Sequence, residues 1–154
     1  MVLISRRRAL NLERANDMAR DEDVIAETFR NYVESFQTLQ PQNVVPYFHA
    51  PCLFLSSQGV RMMADAKEVA AFIAQLMESL KARGFSWSEI TGMRVNPMSE
   101  SIALVSVRRI RYGADERELE RLGETYTFRR TDVGWKIATA MAHDPNSVLC
   151  KCKD

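Results

Sequence analysis

A change of hydrophobic period at Gly84 divides the sequence. Before it, apolar residues recur three and four apart, at Ile25, Phe29, Tyr32, Phe36 and Leu39, and again at Val69, Phe72, Ile73, Leu76 and Leu80. That spacing lines one face of a helix. After it, four segments at roughly 85–96, 101–112, 122–130 and 135–143 alternate every two residues, as strands do. The connectors "NPMSES", "GADERELER" and "TDVG" are too short for a crossover, so neighbouring strands must run antiparallel. Helices segregated from a run of antiparallel strands specify an α+β domain.

Local signals set the boundaries. Acidic residues at 21–23 favour the start of the first helix, and Pro41 closes it. "PQNVVPYFHAP" predicts a short helical turn offering Val44, Val45, Tyr47 and Phe48 for burial. "CLFLSS", the turn at Gln58 and Gly59, and "VRMM" predict a short hairpin. Asp65 with Glu68 three residues on is a capping box for the next helix, and Gly84 its C-cap. In "TDVG", Asp132 bonds the backbone and Gly134 supplies positive φ for a hairpin leading into Trp135.

Alternation also predicts faces. In 101–112, Ile102, Leu104, Ser106, Arg108, Ile110 and Tyr112 share one side, and Ala103, Val105, Val107, Arg109 and Arg111 the other. In 135–143, Trp135, Ile137, Thr139, Met141 and His143 oppose Lys136, Ala138, Ala140 and Ala142. Neither side is cleanly polar, so a second copy covering the outer sheet face as a homodimer is the expected partner. Arg108, Arg109, Arg111, Arg129 and Arg130 could ring an anion, but solvated edge charge paired with Asp115, Glu116 and Glu118 is the plainer expectation.

The formal charge of +1 supports neither nucleic acid nor membrane as a partner. Residues 1–21 form a basic extension, helical or disordered; residues 1–20 carry five arginines against Glu13 and Asp17. That segment lacks the apolar run of a secretory signal, and three cysteines, Cys52, Cys150 and Cys152, fit reduced thiols, so a cytoplasmic location is expected. Residues 147–154 are read as a solvated tail. The chain carries no Gly-rich phosphate loop, G-x-S-x-G, H-E-x-x-H or C-x-x-C, so no cofactor is expected. A metal is not expected either, because His49, Cys52 and His143 come from three distant backbones.

The "NYVESF" helix core, the "VVPYFHAPCLF" step into a strand and the closing "TYTFRRTDVGWKI…AHDP" resemble the nuclear transport factor 2-like superfamily, which includes ketosteroid isomerases and SnoaL-type polyketide cyclases. The resemblance spans residues 22–146. It implies a cystatin-like cone: a curved, mixed, mostly antiparallel sheet wrapped around three helices, with an open mouth and frequent pairing through the outer sheet face. It places Tyr32 where the isomerases carry their oxyanion-binding tyrosine, Ser56 where they carry the base, and Glu124 where they carry a second, protonated acid.

The resemblance implies a pocket for a small apolar molecule, lined by Tyr32, Phe36, Phe54, Phe72, Trp87, Tyr126 and Met141 or their strand neighbours. No catalytic residue is assigned; the candidates are Tyr32, Glu124 and His143. A serine cannot replace a carboxylate base unaided, which speaks against steroid isomerisation by the known arrangement. Glu124 is expected in a rim salt bridge to Arg108 or Arg130. Three readings remain open: a binder of a small apolar ligand, an acid/base enzyme using Tyr32 with Glu124 or His143, and a dimeric adaptor.

Overall fold

The computed structural model describes residues 2–147, with side chains from Arg6 onward. Cys150 and Cys152 lie outside the described residues. Helix α1 spans Val2–Phe36, and its last four turns bury Ile25, Phe29, Tyr32, Val33 and Phe36 at 4% exposure or less. The basic segment thus continues the same helix, with residues 6–20 exposed all round. After a turn in which Leu39 takes a left-handed φ of 51°, Pro41 occupies the first position of α2 (Pro41–Val44), and a 3-10 turn follows over Val45–Tyr47.

Strands β1 (Phe48–Ser56) and β2 (Gly59–Met63) form the expected hairpin, which α3 (Ala66–Ala82) follows. The capping box closes as its sequence predicts. Asp65 accepts from the Glu68 amide at 2.9 Å, and the Glu68 carboxylate accepts from the Ala64 amide at 2.7 Å. Gly84 leaves the helix at φ 74°. No described helix is long and apolar enough to cross a membrane.

Strands β3 (Phe85–Pro97), β4 (Ile102–Gly113), β5 (Glu118–Thr131) and β6 (Gly134–His143) complete one sheet of order β2-β1-β6-β5-β4-β3. Strand β5 begins at Glu118 rather than near 122, so the preceding turn is tighter than its composition suggests. Every pair is antiparallel except β1–β6, which makes the sheet mixed. Register breaks between Ile90 and Gly92, Arg111 and Tyr112, and Thr127 and Phe128 add the twist that bends long strands. The curved sheet wraps the helices, and its concave face and α1 and α3 share the core.

One bulge decides which side chains enter that core. Thr127 pairs with Thr139 and Phe128 with Ile137, so Ala138 is an extra residue on β6. Trp135 and Ile137 are buried as alternation predicts, but beyond Ala138 the parity flips. Ala140 turns inward, and Met141 turns outward with 42% exposure. Gly123 fixes the end of this strand. A Cβ there would stand 2.6 Å from the Asp144 carbonyl oxygen and 2.7 Å from the Pro145 Cα, so only glycine lets the chain past His143 lie against β5.

Candidate functional site

Inside the cone, α1 supplies Tyr32 and Phe36, β1 Phe54, α3 Phe72, β4 Arg109 and Arg111, and β5 Glu124 and Tyr126 around one small cavity of about 30 Å³. That volume holds a single water. The sequence leads one to expect an open greasy hollow; the interior is instead nearly filled and has a polar wall. Trp87 and Met141 do not line it, a correction to the expected pocket list. Trp87 faces outward, stacked on Tyr112 at 4.6 Å, because Thr91 is an extra residue between Ile90 and Gly92 and shifts the β3 parity. Met141 is turned out by the Ala138 bulge, and its neighbour Ala140 lines the cavity.

The wall is organised by an ion pair that the sequence misplaces. Arg109 is 3% exposed and donates from Nε and Nη2 to the two Glu124 oxygens at 2.7 and 2.8 Å. Glu124 therefore makes no rim bridge to Arg108 or Arg130. Burial pulls the Arg109 guanidinium down, and the facing Glu124 charge more than restores it. Arg111, 8% exposed, donates to Glu120 at 2.6 Å, and Arg83 reaches the same oxygen at 3.1 Å. Burial raises Glu120, but hydrogen bonds from Arg83 and Arg111 hold it below the usual carboxylate range. Two arginines expected at a solvated edge are thus core residues. Their parity with Ala103, Val105 and Val107 on β4 was the signal.

The two tyrosines stand beside this pair. Tyr32 is 4% exposed, and its ring makes T-shaped contacts with Phe36, Tyr47, Phe48 and Tyr126 at 5.3 to 5.9 Å between centroids. The Tyr32 and Tyr126 hydroxyls are coupled by a hydrogen bond, and burial pushes both well above their ordinary value, so both remain protonated, one donating to the other. Phe54 and Phe72, 5.1 Å apart, are only partly buried. The Arg61 guanidinium lies 5.0 Å from the Phe72 ring and donates to Gln75 at 3.0 Å. Burial also pushes the Cys52 thiol up to about 11, which leaves it protonated.

The structure brings Tyr32 and Glu124 together but separates His143 from them. His143 lies on the convex face, where Nδ1 meets the Asp144 carbonyl at 2.9 Å and Nε2 meets the Thr125 hydroxyl at 2.8 Å. In the neutral ring, Nδ1 therefore donates and Thr125 donates to Nε2. Ser56 accepts from the Gln58 amide at 3.2 Å and caps the hairpin turn. His49 accepts from Arg129 at 3.1 Å, so His49, Cys52 and His143 do not converge. Arg130 pairs with Asp21 and lies 4.8 Å from the Trp135 ring. A wider groove of about 830 Å³ opens between α1 and the turn at Ser99–Ser101, but exposed charged residues dominate its lining.

Comparison with known proteins agrees with this architecture. A family described as NTF2-like protein (DUF6841) matches residues 21–145. Among curated proteins, none matches the chain. An NTF2-like protein with a cystatin-like fold from Novosphingobium aromaticivorans superposes with a TM-score of 0.69 at 17% identity, covering 86% of this chain and 87% of that one. A domain of unknown function with a cystatin-like fold from Nostoc punctiforme gives 0.63 at 20% identity, covering 80% and 76%. A ketosteroid isomerase-like protein from Erwinia carotovora gives 0.60 at 15% identity, covering 79% and 94%. At such identities the likeness is one of fold.

Proposed function

Because the chain belongs to the NTF2-like family, we propose that its cone binds a small molecule whose polar head meets Tyr32, Tyr126 and the Arg109–Glu124 pair, and whose apolar body lies among Phe36, Phe54 and Phe72. The buried ion pair beside the cavity carries this reading. Stability alone does not favour such a pair, since well-packed apolar residues of similar volume are often as good or better. Clusters of buried, perturbed groups are characteristic of sites. The cavity of about 30 Å³ holds one water, so the partly buried Phe54 and Phe72 must part to admit the ligand. No reaction is assigned: Glu124 is held by both arms of Arg109, and His143 faces away.

A thermal-shift screen with steroids, polyketide-like aromatics and fatty acids tests the reading. A saturable rise in Tm, lost in a Tyr32→Phe, Tyr126→Phe double variant, is expected. No shift by any member at millimolar concentration would overturn it.

The filled interior favours a second reading, a dimeric scaffold. Val60, Met62 and Met141 are 67%, 67% and 42% exposed on the convex face, beside Leu53 and Leu55. A second copy seated there would bury this strip. Light scattering at high concentration returning 17.6 kDa, the mass of one chain, refutes the dimer.

A further inference from the structure

The wall of the cavity is not equally firm all round. Tyr32, Arg109 and Tyr126 are buried and tied together across α1, β4 and β5, the tyrosines to each other and Arg109 to Glu124. Phe54 is fixed through its backbone, because β1 pairs with β6 on one side, Phe54 opposite Ala140, and with β2 on the other. Phe72 differs. It stands on α3, outside the sheet, is only partly buried, and meets β1 through its ring contact with Phe54 at 5.1 Å. Segments with few buried contacts are the ones that open locally. The seam between α3 and the β1–β2 hairpin is therefore where this wall parts most readily.

One exposed side chain spans that seam. Arg61 is the register partner of Phe54, so the two side chains share a face of the hairpin. Its guanidinium lies 5.0 Å from the Phe72 ring centroid, and its Nη1 donates to Gln75 Oε1 at 3.0 Å, about one turn further along α3. Phe72 is thus held by two cross-strand neighbours, one apolar and one charged. Swinging α3 off the hairpin breaks both contacts together.

We propose that the seam between α3 and the β1–β2 hairpin is the gate of the cone, and that Arg61 is its latch. While the guanidinium holds Phe72 and Gln75 the cavity is shut; once it lets go, Phe72 parts from Phe54. This rests on the reading that the cone binds a small molecule, and adds the route by which that molecule enters. A cation over a ring at an exposed site and one hydrogen bond are weak enough to break by thermal motion. Together they shift the closed-to-open ratio about three- to tenfold.

Cys52 reports on the gate without any ligand. It lines the cavity, is 2% exposed, and lies two residues before Phe54 on the same face of β1. In a full chain carrying Cys150→Ser and Cys152→Ser it is the sole thiol. Its attack on the disulfide of dithiobis-nitrobenzoate releases thionitrobenzoate, which is followed by absorbance. In that background Arg61→Ala is expected to react about three- to tenfold faster. Arg61→Lys, which keeps the cation but not the planar fork, should fall between. Met62→Ser, on the opposite face of β2, should react at the parent rate. Chemical denaturation of the same proteins separates local opening from unfolding. An Arg61→Ala rate equal to the parent's, an acceleration wholly explained by lower global stability, or an equal acceleration in Met62→Ser overturns the latch. A faster Arg61→Ala reaction with an empty ligand screen keeps the gate and sinks the binding reading; an unchanged rate with a screen hit does the reverse.

Discussion

Arg108 and Arg109 are neighbours on β4, yet one is exposed on the convex face beside Gly92 and the other is 3% exposed in the core. On the concave face the buried arginines are paired, Arg109 with Glu124 and Arg111 with Glu120. The convex face carries exposed pairs, such as Tyr112 donating to Glu89 at 3.1 Å and Arg121 to Glu118 at 2.6 and 3.0 Å. Identical side chains one pleat apart therefore differ in what their loss leaves behind. Outside, water replaces the partner; inside, nothing does.

Removing one partner from each face is the strongest way to break this contrast. Glu124→Ala strands the buried Arg109 and should destabilise by about 3–5 kcal/mol, while Arg108→Ala should stay within about 0.5 kcal/mol. Chemical denaturation of both variants measures the difference, and equal effects would mean that the two faces are wrongly assigned.

The bulge at Ala138 gives the next test. Ala140→Lys pushes a charge into the core and should cost about 3 kcal/mol or more. Met141→Lys, one residue on, should change the denaturation midpoint little. The reverse outcome would restore unbroken alternation along β6. A smaller loss, about 1–3 kcal/mol, is expected of Gly123→Ala, whose new methyl would drive Asp144 and Pro145 off β5. If its Tm equals that of the parent, the close approach does not exist in solution.

The last effect is a slope with pH. Tyr32 ionises at its ordinary value of 10.0 in the unfolded chain and well above it in the folded one. Its contribution is therefore complete below pH 10 and is lost as pH rises above that value, by at most about 1.4 kcal/mol per unit of pH. Denaturation midpoints collected from pH 9 to 11 should fall less steeply in Tyr32→Phe than in the parent. Parallel slopes would place the hydroxyl in contact with water.

Much of the cone was readable in advance. The period change at Gly84, the Asp65–Glu68 capping box and the "TDVG" hairpin are local matters of backbone geometry, and each forms; in the hairpin Gly134 takes positive φ as expected, but Thr131 rather than Asp132 bonds the backbone. The site was readable in part. Tyr32, Phe36, Phe54, Phe72, Tyr126 and Glu124 meet at the cavity. Trp87 and Met141 leave it because inserted residues, Ser86 and Thr91 on either side of Trp87 in β3 and Ala138 before Met141 in β6, shift the parity of the side chains between and beyond them, and no residue type in either strand marks the insertions. Arg109 and Arg111 enter because their carboxylates arrive from the neighbouring strand, and composition alone reads an arginine as surface.

Propensity, capping and periodicity act over a few residues, so the sequence by itself determined the order of the elements and the buried face of each helix, though not the start of α1, which runs from Val2 straight through the acidic residues 21–23. Tertiary structure alone decided the parallel closure of β1 on β6, the bulges that set parity, and the pairing of Arg109 with Glu124 across 15 positions. Those outcomes depend on which distant chains meet in a low-dielectric interior, where a charge persists only beside its partner.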